Sequence, residues 1–289
     1  MFSPRIRLMA LVAVLVSLPL LAQAAWIKGH TGKSDLSPAE RAALLSPGIW
    51  MPPAEVLLNA PLPQSDAPKA TLPAKFDWHD KDGQDWCSPV RDQGHCGACW
   101  AFGSIGVMEA MVNIYLGDPT YDIDLSEQSL VSCGTFGSCA SGGLTEEVWI
   151  HAKSEGVPDE ACFPYEAKDL SCNRCSDYAA RSVKLASYKF LYLKSETVLK
   201  EELLNGPLAV TMTVYDDFHD YNGGVYEHEC GLFEATNHII LLVGWDDSDN
   251  SWIVKNSWDT DWGLDGYFKI KRGSSCLAKT AYSGVINPA

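Results

Sequence analysis

Basic residues are scarce in this 289-residue chain: 22 Lys and Arg stand against 37 Asp and Glu, a formal charge of −15 at pH 7. No Lys/Arg-rich stripe interrupts the acidity, so a phosphate backbone or an anionic membrane surface would be repelled, and nucleic-acid binding drops out as a leading function. A bilayer-spanning segment is also missing near the N-terminus. The uncharged run 8–22 has 15 residues, against the roughly 20 a spanning helix needs. Arg5 and Arg7 precede it and Ala22-Gln23-Ala24 follows, a small-x-small cleavage pattern. Residues 1–24 therefore read as a secretory signal peptide cut before Ala25, with no membrane insertion after the cut and no cysteine there for a lipid anchor. Neither a repeat period nor a βαβ alternation appears. What is present, 46% hydrophobic and 20% charged residues, can bury a substantial core.

Export gives the ten cysteines a meaning. In an oxidising compartment (extracellular, periplasmic or lumenal) thiols pair into bridges, and an even count permits five. A working thiol would leave nine and force a second cysteine to stay unpaired. Cys96-x-x-Cys99 with Cys172-x-x-Cys175 also spells a redox pair or a four-thiolate zinc site. No strand of a βαβ unit precedes Cys96, and export favours bridges over thiolates, so neither a metal nor any other cofactor is expected.

Prolines at 38, 47, 52, 53, 61, 63 and 68 make residues 25–71 a linker or propeptide with short helical pieces at most. One such helix is expected from Ser37, with Pro38 at its first position, Glu40 closing a capping box, and an end before Pro47-Gly48. From residue 72 to 289 the chain reads as one loop-rich, bridged domain. Helices are expected over 99–116, from Asp124 or Ser126 toward Val131, over 144–155 and over 196–204. Strands follow at 208–214, 238–245, 251–257 and 266–271, with residues 246–250 as a hairpin turn. A mainly helical half (about 83–185) before a mainly antiparallel half (about 186–289) is an α+β pattern with two subdomains.

The segment from Val90 to Phe102 is the richest in chemistry. A cysteine in the first turn of a helix, here Cys99, sits beside free backbone N–H groups and the positive end of the dipole, which favour a thiolate. A thiolate acting on a carbonyl also needs a proton shuttle and donors for an oxyanion. A hairpin centred on 247 or 248 pairs residues whose numbers sum to 494–496, and His238 and Asn256 sum to 494. They are therefore expected as cross-strand neighbours on one face, Asn256 holding one ring nitrogen and leaving the other for a thiol. A slip of one residue would reverse the face.

These residues carry a resemblance. Cys96-Gly97-Ala98-Cys99-Trp100 matches the Cys-Gly-Ser/Ala-Cys-Trp/Tyr signature of papain-type cysteine proteases, and His238 and Asn256 follow Cys99 by 139 and 157 residues. Gln93-Gly94, Asn237-His238, Lys255-Asn256-Ser257-Trp258 and Trp262-Gly263 extend the match over roughly residues 72–286. The chain thus resembles the papains and cathepsins, and its short proregion points to a bacterial-type member. The resemblance implies a two-subdomain papain-like fold, with a helical half, an antiparallel barrel-like half and a cleft between. It implies Cys99 as nucleophile, His238 as base and then acid, Asn256 as its orienting partner, Gln93 in the oxyanion hole, and Trp258 shielding the His–Asn contact. It also proposes the bridges Cys96–Cys139, Cys133–Cys172 and Cys230–Cys276, with Cys162–Cys175 as a fourth. Cys87 is then left free, or it displaces a partner around Cys172 and Cys175.

For the substrate's second acyl-side residue (P2), the resemblance implies a wall of Gly142, Gly143 and Thr145, with Asn237 beside the histidine and Ala281 at the pocket floor. A methyl floor predicts apolar or aromatic P2 side chains and no preference for Arg. Cys139-Ala-Ser-Gly-Gly is one residue longer than the family's usual turn, which would displace the Gly wall. The proregion lacks the long inhibitory helices of the cathepsin L type and is expected to lie across the cleft as an extended plug. No inserted histidine-bearing loop of the cathepsin B kind occurs between Gly143 and Cys162, which favours endopeptidase action. Partners are then protein or peptide substrates and proteinaceous cysteine-protease inhibitors. The competing readings are a catalytically idle peptide-binding homologue and a thiol amidase or transpeptidase.

Overall fold

Ser37 caps the first helix, α1 (Pro38–Ala43), through a capping box: its hydroxyl accepts from Glu40 N while the Glu40 carboxylate accepts from Ser37 N at 2.8 Å. The structure, a computed structural model, describes residues 26–46, 71–143, 145–231 and 234–286. The signal segment with its cut before Ala25, the stop at Pro47-Gly48 and the rest of the proline-rich linker up to residue 70 lie outside the described residues.

In chain order the remaining elements are β1 (Lys75–Asp77), α2 (Cys99–Leu116), α3 (Glu127–Cys133), β2 (Gly137–Ser138), β3 (Gly142–Gly143), α4 (Thr145–Ser154), α5 (Tyr178–Arg181), β4 (Leu185–Tyr192), α6 (Glu196–Leu203), β5 (Leu208–Met212), β6 (Val225–Tyr226), β7 (His238–Asp246), β8 (Ser251–Lys255), β9 (Tyr267–Lys271) and β10 (Thr280–Ile286). Helices fill the first half and an eight-stranded sheet of order β4-β10-β5-β7-β8-β9-β6 dominates the second, with β1 added alongside β7. All its pairings are antiparallel except β6 with β9. The architecture is α+β, as expected.

α2 is the axis of the molecule. Fourteen of its 18 residues are buried, so it is apolar nearly all round and the 3.6-residue stripe expected of a surface helix is blurred. It stops where Gly117 turns left-handed at φ 65°. Its glycines let the sheet come close: a Cβ on Gly103 would lie 2.7 Å from Ile239 Cγ2, and one on Gly106 would lie 3.2 Å from Leu241. Gly103 is one turn beyond Cys99 and Ile239 is next to His238. The close approach of α2 to β7 is therefore what brings the head of the helix to the head of the strand.

Three expectations need correction. Of the two starts expected for α3, Asp124 is not the cap: the helix starts at Glu127 with Ser126 as its cap, the hydroxyl accepting from Ser129 N at 2.9 Å. The sheet contains β4 and β10, which the alternation of polar and apolar residues did not announce. β1, from the start of the domain, joins the sheet far from the other strands in sequence.

Candidate active site

Cys99 is the first residue of α2 and fully buried. Burial pushes its thiol above the ordinary range, while the Ser46 hydroxyl and the backbone N–H groups of Ile239 and Trp100 pull the other way. His238 opens β7, also fully buried, and its Nε2–H donates to Asn256 Oδ1 at 2.8 Å. The amide is oriented by a second donor, Ser257 N, at 2.9 Å on the same oxygen. Nδ1 of His238 is left without a hydrogen-bond partner. Burial lowers the imidazole to about 4; the Asn256 contact opposes this and the nearby His219 adds to it. Trp258 is fully buried with its indole 5.1 Å from the His238 ring, and His219 stacks on it at 5.0 Å. The His–Asn contact is thus kept dry.

His238 and Asn256 meet by a different register from the one expected. Near the turn Asp246 faces Ser251 and Trp245 faces Trp252, but beyond a bulge at Val243 the pairs become Leu242 with Val254 and Leu241 with Lys255. The pair sum is therefore 497 at the turn and 496 past the bulge, the upper end of the expected 494–496, so His238 and Asn256, which sum to 494, are not directly opposite. His238 has Met212 of β5 opposite it, and Asn256 lies diagonally across, just past the end of β8. The bulge supplies the one-residue slip that returns both side chains to one face.

Gln93 is fixed by its oxygen. Ser257 Oγ donates to Oε1 at 2.7 Å, so the amide nitrogen must face the cleft. One Nε2–H goes to Cys96 O at 2.7 Å and the other to Leu44 O at 2.9 Å. Leu44 belongs to the N-terminal segment, which lies across the site as a strap. Ser46 continues it: N donates to Asn237 O at 2.9 Å, Oγ donates to Gly97 O at 3.0 Å, and Oγ stands 3.3 Å from Cys99 Sγ. Leu44 and Ser46 are each 1% exposed. The plug expected as extended chain is, among the described residues, a short helix whose closing turn at Leu44–Ser46 lies on the thiol.

The pocket residues have mixed placements. Gly142, in the β2–β3 hairpin, faces the strap so closely that a Cβ would lie 2.5 Å from Ser46. Ser138 pairs with Gly142 and Gly137 with Gly143, so Cys139, Ala140 and Ser141 make the turn between the two strands. Gly143 packs instead on the Trp100 indole. Thr145 is buried at the start of α4. Asn237 turns its side chain away from the cleft, binding Val214 N at 2.8 Å and Val214 O at 3.2 Å, and offers only its backbone carbonyl. Ala281 is fully buried inside the sheet, paired with Val210 and Leu191. On the same two strands, Thr211 and Thr280 join hydroxyls at 3.2 Å.

Four disulfides brace this arrangement: Cys96–Cys139, Cys133–Cys172, Cys162–Cys175 and Cys230–Cys276. Cys87 and Cys99 are free thiols, and both are buried. Among the described residues no His/Cys/Asp/Glu group has a metal-binding arrangement. Sequence reasoning passed over Ser257 as the residue that orients Gln93, and over Ser46. The first lies inside the Lys-Asn-Ser-Trp motif and could have been questioned; the second has no local signal.

Residues 72–286 match the Papain family cysteine protease family. The chain belongs to that family. It is 36% identical over 221 residues to a cysteine proteinase of Trypanosoma brucei brucei, covering 74% of this chain and 47% of that protein. It is 34% identical over 218 residues to a cathepsin L-like proteinase of Fasciola hepatica, covering 73% and 64%. The match therefore spans about half to two thirds of those relatives' length. Among solved structures, digestive procathepsin L2 proteinase from Tenebrio molitor larval midgut superposes with a TM-score of 0.73 at 33% identity, over 90% of this chain and 84% of that one.

Proposed function

We propose that this chain is the precursor of an exported cysteine endopeptidase, inhibited by its own strap and active after the strap is removed. The observation that carries the reading is how the strap meets Cys99, His238 and Gln93. It touches each of them or its neighbour: Gln93 Nε2–H donates to Leu44 O, Ser46 Oγ stands 3.3 Å from Cys99 Sγ, and Ser46 N donates to the carbonyl of Asn237, next to His238, whose Nδ1 has no partner.

With the strap gone, water and substrate replace a dry, neutral surrounding. The Cys99 proton then passes to His238 Nδ1, and Asn256 keeps the ring turned toward the thiolate. The thiolate attacks a peptide carbonyl carbon, forming a C–S bond, and the oxygen takes the negative charge beside Gln93 Nε2. The C–N bond breaks as His238 delivers its proton to the leaving amine. Water then loses a proton to His238 and attacks the thioester, freeing the acid and restoring the thiolate. Trp258 excludes water from the His238–Asn256 bond. Apolar or aromatic P2 residues suit a pocket whose proposed floor, Ala281, adds a methyl and no charge. The substrates are proteins or peptides, and protein inhibitors that lie along the same cleft would be competitors.

The test uses full-length protein, acidified to release the residues before about 72, and coumarin amides with Phe, Leu or Arg at P2. Cleavage of the Phe and Leu amides, abolished in C99A and by an epoxysuccinyl inhibitor, is the expected result. Faster cleavage of the Arg amide would overturn the P2 assignment. No cleavage and no labelling of Cys99 in processed protein would favour an idle peptide-binding homologue and overturn the enzyme.

A further inference from the structure

The strap is a peptide already bound along the cleft, and its cations show what the cleft accepts. Lys33 is 8% exposed, and its ammonium lies 3.1 Å and 3.2 Å from the two carboxylate oxygens of Asp92. The carboxylate is held in advance of any ligand, because Gly94 N donates to Asp92 Oδ1 at 3.0 Å. Upstream, Lys28 pairs with Asp220 at 2.9 Å. Between them Gly32 passes so near Asp261 that a Cβ would overlap the carboxylate.

The side of the cleft follows from the proposed chemistry. Asp92 adjoins Gln93, whose N–H marks the oxyanion, and bridges to Trp258, which covers His238. His238 delivers the proton to the leaving amine, so that fragment lies on the His238–Trp258 side. The acyl fragment lies on the other, toward Asn237 O and Gly142, where Ser46 sits.

We propose that Asp92 is a specificity determinant of the leaving-group side, binding a Lys or Arg side chain at one of the first three substrate residues after the scissile bond. This rests on the reading of the Cys99 site as a peptidase. While the strap is in place Lys33 occupies the position; once it leaves, the oriented carboxylate has lost its counter-ion and a basic substrate side chain restores the pair. The chain's overall acidity would favour any basic peptide weakly and at every position. A built subsite differs in being specific to one position and dependent on Asp92.

The experiment measures kcat/KM of processed enzyme on internally quenched peptides with a constant acyl half containing Phe at P2. Lys, Gln or Glu is set in turn at each of the three leaving-side positions. Lys should exceed Gln by roughly twofold to fivefold at one position, with Glu slowest there. In D92N that Lys-to-Gln ratio should fall to about one, and in D92E it should persist. Each ratio is internal to one preparation, so loss of folded protein cancels. Raising the salt from about 20 mM to 500 mM should shrink the parent's ratio, an arm that needs no variant. Equal rates for Lys and Gln at all three positions, or a ratio unchanged in D92N, overturns the proposal and leaves the peptidase reading standing. Cleavage of no peptide, with Cys99 unlabelled by the epoxysuccinyl inhibitor, overturns both.

Discussion

Replacing Gly103 by Ala tests whether the approach of α2 to β7 sets the reacting geometry. The added methyl would sit 2.7 Å from Ile239 Cγ2, against the 3.5–4.0 Å of an ordinary carbon contact. Helix and strand must therefore part by about 1 Å, because Ile239 is β-branched and cannot swing its Cγ2 clear by a cheap rotation. Two stability terms oppose each other. Ala gains about 1 kcal/mol over Gly in a helix interior, and overpacking costs about 1–3 kcal/mol. The net loss is then about 0–2 kcal/mol, a fall of a few degrees in Tm for a chain of this size. Catalysis should suffer more. Cys99 is one turn from Gly103 and His238 adjoins Ile239, so the separation falls on the thiol–imidazole pair, where a 1 Å misplacement can cost about 10²-fold.

The assay is kcat/KM on a Phe-P2 coumarin amide for the parent, G103A, I239A and G103A/I239A, with Tm measured on the same proteins in a C99A background. I239A alone opens a cavity and lowers Tm, but it removes the methyl that G103A strikes. The double variant should therefore be more active and more stable than the two single losses added together, a coupling of at least about 1 kcal/mol. Activity of G103A within twofold of the parent at unchanged Tm would refute the argument that Gly103 positions the pair.

Other outcomes follow from the same structure. His238 is lowered to about 4 by burial, so between the ordinary 6.5 and 4 the unfolded chain holds the extra proton. Its contribution falls as pH drops through that window, by up to about 3 kcal/mol. Urea unfolding of strapped C99A at pH 7 and pH 4 should show a larger acid loss than C99A/H238Q, and equal losses would contradict the burial argument. Iodoacetamide should modify Cys99 at pH 6 at least about tenfold faster after the strap is removed, since burial now holds the thiol up. Cys87, pushed up by burial too, should stay unmodified in both forms, and its labelling would show that the core around it opens. Removing Cys133–Cys172, which closes a 39-residue separation, should cost about 4 kcal/mol by chain entropy; a loss below about 1 kcal/mol would mean that the reduced chain is already ordered there.

Local chemistry was legible in the sequence wherever one residue's role depends on its neighbours. The capping box at Ser37 and Glu40, the helix opened by Cys99, and the acidic turn at 246–250 all rest on contacts within a few residues, and all are present. β4 was less visible because its residues alternate poorly between buried and exposed sites. β10 carries Gly284, whose missing side chain makes room for Trp149 of α4. Each is a strand because of what lies across from it, which no single-strand pattern records. The meeting of His238 with Asn256 shows the limit most clearly. Both were legible as partners, but the bulge at Val243 that brings them to one face is a non-local accommodation. The strap is a sharper case. Ser46 is an ordinary serine in a proline-rich stretch, and what distinguishes it is 3.3 Å from Cys99, 53 residues away. Yet the strap it belongs to sets the chemistry of the resting state, because burial of the site holds the thiol up and the imidazole down, against the opposite pull of the Ser46 hydroxyl on the thiol. A nucleophile and a base that are each neutral form no ion pair, so the strap withholds charge from the site as well as space.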